Sequence, residues 1–199
     1  MSHSKRMVKR VLGIDVNNRY EYISNAKKMF LANPDEYEQK VVSYHLQNML
    51  EHNKACSACK GACCQKAPCP FSPRDFEDLS YKGLKLRIGK GDIAIQRIPY
   101  EAKYDFPVID GVTYYVTARG IKSPISTRAY QKDTRCALLT PNGCKFDYAH
   151  RPFGGKALIP SLDGECLQFY EFELCIMEWK PYQDVLQKLY RHFKWQIWK

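Results

Sequence analysis

No stretch of this 199-residue chain approaches the roughly 18 consecutive apolar residues of a membrane-spanning helix, so no transmembrane segment is expected. The opening MSHSKRMVKRVLGIDVNN is basic, and its short apolar stretch is broken by Gly13 and Asp15. It lacks the apolar region and small-residue cleavage site of a secretory signal, which points to a cytoplasmic protein whose thiols stay reduced. No repeat at a solenoid period and no low-complexity tract is present, which excludes arrays and long disordered regions. No glycine-rich loop is placed to cradle a nucleotide, and no Ser/His/Asp or Cys/His arrangement marks a nucleophile. Histidine is sparse and scattered, at positions 3, 45, 52, 150 and 192. Only His52, four residues before Cys56, lies near a candidate site, and a helix C-terminal histidine is the commoner explanation of it.

Cysteine is abundant. Nine cysteines in a reducing compartment favour metal binding or redox chemistry over a disulfide framework, and their odd number points the same way. Five fall within CSACKGACCQKAPC: Cys56, Cys59, Cys63, Cys64 and Cys69. Zinc and iron–sulfur clusters both need thiolates that converge from short loops, and a CxxC turn aims two sulfurs inward. Adjacent cysteines such as Cys63 and Cys64 diverge, so one can serve a first centre while its neighbour serves a second or stays a thiol. Cys136 and Cys144, in CALLTPNGC, are suited to complete a site by tertiary contact. Cys166 and Cys175 flank LQFYEFEL; Cys175 lies in an apolar, helix-like run and suits packing as well as ligation. Lys54 and Lys60 beside the CxxC leave a redox alternative, through lowered thiol pKa values.

The formal charge is +10, from 31 Lys and Arg against 21 Asp and Glu. Such a field favours nucleic acid or another anionic partner. Four thiolates around a divalent ion carry a net −2, so part of the excess also suits a buried anionic site. Lys188, Arg191, Lys194 and Lys199 alternate with Tyr190, Trp195 and Trp198, a pattern that suits stacking and phosphate contacts. An amphipathic helix packed on the body, its charges solvated, is the favoured account of the same pattern.

The expected class is α+β: a small metal-stabilised domain with N-terminal helices, central β hairpins and a C-terminal helix. Its parts are a helical segment at 1–53, a cysteine-cluster domain at 54–178 and a basic amphipathic helix at 179–199, together one compact unit. RVLGIDV reads as a short strand or arm. Residues 20–30 read as a helix with Ile23, Ala26 and Phe30 on one face. A longer helix over 33–53 starts at an Asn33 cap with Pro34 in its first turn, and carries a Val42, Leu46, Met49 and Leu50 stripe. Residues 84–120 read as β structure, with Asp110-Gly111 at a turn. Pro141-Asn142-Gly143 tips a second hairpin, and a helix from about Pro181 buries Val185, Leu186, Leu189 and Phe193.

CSACKGACC, then CALLTPNGC, then FDYAHRPFGGKALIP together resemble the YkgJ-like cysteine-cluster family, described as a putative zinc- or iron-chelating domain. The resemblance spans about residues 56–160 and extends toward CIMEWKPYQ. It implies a metal site built from Cys56, Cys59, Cys63, Cys64, Cys136 and Cys144. Where the family carries Arg-Pro-x-x-Cys-Arg, this chain has Arg151-Pro152-Phe153-Gly154-Gly155-Lys156. Gly155 therefore replaces a thiolate, and Cys166 is the favoured substitute, with Cys69 as the other candidate. The Arg-Pro pair itself reads as a rigid turn with a structural salt bridge. One relative of the family is similar to flagellin lysine N-methylases, which implies, by fold-level analogy alone, a cluster-dependent protein-modifying enzyme using S-adenosylmethionine.

Overall fold

The computed structural model describes residues 3–17, 19–99, 111–121, 123–128, 134–141, 143–160 and 166–194. The chain is a mixture of helices and small, mainly antiparallel sheets, compatible with an α+β class. In order come α1 (His3–Leu12), α2 (Arg19–Ala32), α3 (Pro34–Gln47), α4 (Met49–Cys59), α5 (Ala62–Lys66) and α6 (Tyr81–Ile88). Strands β1 (Ile93–Pro99), β2 (Val112–Ala118) and β3 (Ser126–Arg128) follow, then the short pair β4 (Leu139–Thr140) and β5 (Gly143–Cys144). The remainder is α7 (Phe153–Lys156), β6 (Leu158–Ile159), β7 (Leu167–Gln168), α8 (Phe172–Glu178) and α9 (Gln183–Phe193). No described helix is long and apolar enough to cross a membrane.

Several local signals act as expected. The Asn33 side chain accepts the Glu36 amide at 3.1 Å, and Pro34 opens α3 where no amide donor is needed. Phe30 and Ala26 of α2 are buried, while the Ile23 side chain lies outside the described residues. Leu186, Leu189 and Phe193 of α9 face inward, with Val185 only partly buried. Other elements differ. The start of RVLGIDV, through Leu12, is the end of helix α1, because Met7, Val8, Val11 and Leu12 recur at helical spacing and are all buried; the chain from Gly13 to Val16 is neither helix nor strand. The expected stripe of the third helix also fails: Leu46 and Leu50 are exposed, and Tyr37, Val41 and His45 form the inward face. The helix breaks at Asn48 and restarts as α4. Residues 84–88 belong to α6, capped by Ser80 accepting from the Gly83 amide at 3.1 Å, with Leu84 and Ile88 inward.

The principal sheet runs β2-β1-β3, with β1 and β2 antiparallel from Ile93↔Ala118 to Pro99↔Val112 and β3 parallel to β1. Asp110 of the expected turn lies outside the described residues. Every residue of β2 is buried, so strict apolar–polar alternation is not needed on this strand. Two buried polar pairs join it to its neighbours: Gln96 donates to Thr117 Oγ1 at 3.2 Å, and Thr113 donates to Gln183 Oε1 at 3.3 Å. One continuous core joins Met7 and Val41, the sheet, and Trp179 through Phe193. It crosses the boundaries expected after residues 53 and 178.

Candidate metal centre

Cys56 and Cys59 occupy the last turn of α4. The helix ends because Lys60 and Gly61 both adopt left-handed backbone, at φ 51° and 66°. The Gly61 amide returns to the Cys56 carbonyl at 3.2 Å, a compact αL stop. Glycine suits position 61 twice over, since a Cβ there would also lie 3.1 Å from Leu139 Cδ1. The reversed chain enters α5, which carries Cys63 and Cys64 under the second hairpin.

That hairpin forms as expected, with Leu139 opposite Cys144 and Thr140 opposite Gly143, although Asn142 at its tip lies outside the described residues. Cys136 precedes the arm rather than lying on it. It bridges to Gly120, and its amide donates to the Cys64 carbonyl at 2.8 Å. Cys69 arrives differently. β2 is the edge of its sheet, and residues 69–71 lie along that edge: Ala118 N donates to Cys69 O at 2.8 Å and Phe71 N to Val116 O at 2.9 Å. Gln183 closes the rest of the edge, accepting from Tyr114 N at 2.9 Å and donating to Tyr114 O at 2.8 Å.

The position of the missing thiolate can now be placed. A Cβ on Gly155 would lie 3.7 Å from Cys69 Sγ, the nearest sulfur. Cys69, not the favoured Cys166, therefore stands beside it. Cys166 instead lies near enough to Cys56, as do Cys59 and Cys63, to oppose charge on it. Cys175 is fully buried in α8 and donates to the Phe71 carbonyl at 3.5 Å, which is a packing role.

Burial, then the thiols of Cys63, Cys59 and Cys166, push Cys56 up to about 11. Lys54 and Lys60 thus do not activate it, contrary to the redox alternative. A hydrogen bond from Cys64 draws Cys63 down to about 6, and keeping that proton pushes Cys64 well up. In the same way Cys69 donates to Cys136, which falls to about 7, while Cys69 rises. In each pair one sulfur donates toward the other, which eases ionisation of the acceptor and opposes that of the donor. No disulfide links any of the nine cysteines, all of which are described. Among the described residues, no three His, Cys, Asp or Glu side chains already stand in a metal-holding arrangement. The donor set is nevertheless all sulfur, which fits zinc and iron.

Arg151 does not form the expected salt bridge among the described residues. It donates to the Phe146 carbonyl at 3.4 Å, lies 5.8 Å from the Tyr148 ring centroid, and lowers the cost of charge on Cys56. Behind it His45 stacks on Tyr148 at 4.3 Å and meets His52 edge-on at 4.5 Å. Burial, His52 and Arg151 lower His45 to about 3, so it stays neutral as part of the wall behind α4.

A separate recess of about 200 Å³ opens between the sheet and α9. Its lining includes Arg97, Arg191 and Lys194 with Tyr114 and Tyr190, and no carboxylate among the described residues. Tyr190 is buried against Tyr114, with ring centroids 5.4 Å apart, so it packs rather than offering a stacking face. Trp195, Trp198 and Lys199 lie outside the described residues. Sequence reasoning missed Arg97, which only strand pairing brings near α9. No protein-family model matches the chain, and no curated protein or solved structure is detectably similar to it.

Proposed function

We propose that this is a metal-binding protein that holds zinc or an iron–sulfur cluster through cysteine thiolates. The gathering of eight thiols from residues 56–69, 136–144 and 166, without a disulfide, supports this reading. Cys56, Cys59, Cys63, Cys64, Cys69, Cys136, Cys144 and Cys166 would supply the ligands; the bound metal would neutralise thiolates that otherwise compete for protons. Because the second hairpin has only two residue pairs and α5 only five residues, ligation would be coupled to folding of this end of the molecule. Protein purified without oxygen from metal-replete cells should carry zinc and be colourless, or carry iron with matching acid-labile sulfide and be brown. The absence of both metals would overturn the proposal.

The basic recess favours a second reading, a metal-stabilised protein that binds nucleic acid. Arg97 and Arg191 would contact phosphate, while the small volume suits a backbone anion better than a stacked base. A single-stranded oligonucleotide should bind at low salt and be released as salt rises. The pair Arg97→Ala and Arg191→Ala should flatten the logarithmic salt dependence by about two units, one per phosphate contact. No binding at low salt would end this reading.

A further inference from the structure

Resting on the thiolate–metal reading, we infer that the eight thiols form two four-sulfur centres, divided between the adjacent Cys63 and Cys64. The first comprises Cys56, Cys59, Cys63 and Cys166; the second comprises Cys64, Cys69, Cys136 and Cys144. Cys56 and Cys59 share the last turn of α4, Cys63 follows just across the Lys60-Gly61 reversal, and Cys166 lies near enough to Cys56 to oppose charge on it. Cys69 donates to Cys136, with Cys64 and Cys144 nearby. Cys64 bonds its chain neighbour Cys63 and lies near Cys136 and Cys144.

Backbone contacts draw the same line. The Cys136 amide is bonded to the Cys64 carbonyl, and the Leu139 amide to the Cys136 carbonyl at 3.1 Å; Leu139 in turn faces Cys144 across the hairpin. Cys69 and Cys136 meet at the same end of β2, through Ala118 and Gly120 respectively. The first set is built otherwise, on the α4–α5 reversal, with Cys166 beside β7. Four thiolates complete a tetrahedral shell for zinc, and each set supplies four. The ninth cysteine, Cys175, is occupied with Phe71 and belongs to neither. Both members of the adjacent pair are then ligands, one to each centre.

Cobalt(II) titration of the reduced full-length chain, followed by thiolate-to-metal absorption and native mass spectrometry, tests the division. Two equivalents per chain are expected. The double variant Cys59→Ser/Cys166→Ser should keep one equivalent, Cys136→Ser/Cys144→Ser should keep one, and Cys175→Ser should keep two. The single variants Cys59→Ser and Cys144→Ser, at an exposed and a partly buried position, repeat the comparison with less disturbance; each should weaken one equivalent only, with circular dichroism reporting retained helix. A wild-type chain saturating at one equivalent would overturn the division while leaving metal binding intact. Loss of both equivalents from a folded single variant would also overturn it, in favour of one shared cluster. No cobalt uptake at all would remove the metal reading itself.

Discussion

Glu178→Ala is expected to destabilise the protein by about 2–4 kcal/mol, below the range for a fully buried pair because Arg74 keeps 30% side-chain exposure. Three donors converge on this carboxylate. Arg74 Nε donates at 2.9 Å, Ser72 Oγ at 2.8 Å, and the fully buried Tyr170 hydroxyl makes a short third bond. Truncation strands all three, and a buried donor without a partner costs more than the bond itself contributes. Arg74 also pairs with Asp35 and Glu38 of α3 and lies over the rings of Phe30 and Phe153, so the loss spreads to the N-terminal helices. Urea midpoints measure the effect, with Glu178→Gln expected to lose less because it keeps an acceptor. A change below about 0.5 kcal/mol, the scatter of ordinary surface substitutions, would refute the role. Since Ser72 follows Cys69 by three residues, cobalt uptake at the proposed second centre should weaken as well.

Gly154→Ala is expected to cost about 3 kcal/mol or more, at the upper end of overpacking effects. A Cβ there would sit 2.3 Å from the Pro70 carbonyl oxygen and 2.6 Å from its ring carbons. Pro70 cannot retreat, because it bridges to Thr117 of β2. Nor can α7 move off easily, since the Phe153 amide donates to both Asp75 carboxylate oxygens at 3.0 Å. Gly155→Ala supplies the control. Its nearest contacts, at 3.7 Å, are ordinary, so its stability should stay within about 0.5 kcal/mol of wild type. Equal thermal denaturation midpoints for the two alanine variants would contradict the packing described here.

Local chemistry made part of this arrangement legible. Asn33-Pro34 marked a helix start, the β-branched and aromatic run VTYYVTA marked a strand, and CALLTPNGC marked a hairpin. The inward face of α3 was hidden because it is made of Tyr37, Val41 and His45, while the more apolar Leu46 points outward. Hydrophobicity alone selects the wrong face of such a helix. At the cysteines, spacing singled out the CxxC pair, the adjacent pair and the distant Cys136 and Cys144, but not that Cys56 and Cys59 lie in the last turn of a helix. It did not show that Cys69 would lie beside Gly155, because that depends on an extended segment joining a sheet edge and on a glycine admitting α7. It also favoured a salt bridge for Arg151, whose actual neighbours are a carbonyl, an aromatic ring and a thiol.

Residues 69–71 complete the hydrogen bonding of β2, and the same three residues begin with Cys69. The segment thereby ties the chemical state of a sulfur to the pairing of a strand. Oxidation or alkylation of Cys69 that pulled the segment away would leave the Val116 carbonyl and Ala118 amide unpaired on a run of valine, threonine and tyrosine. Such an edge is a template for a second chain. Self-association after thiol damage would then begin at β2, and the cysteine cluster would serve as the clasp that keeps it closed.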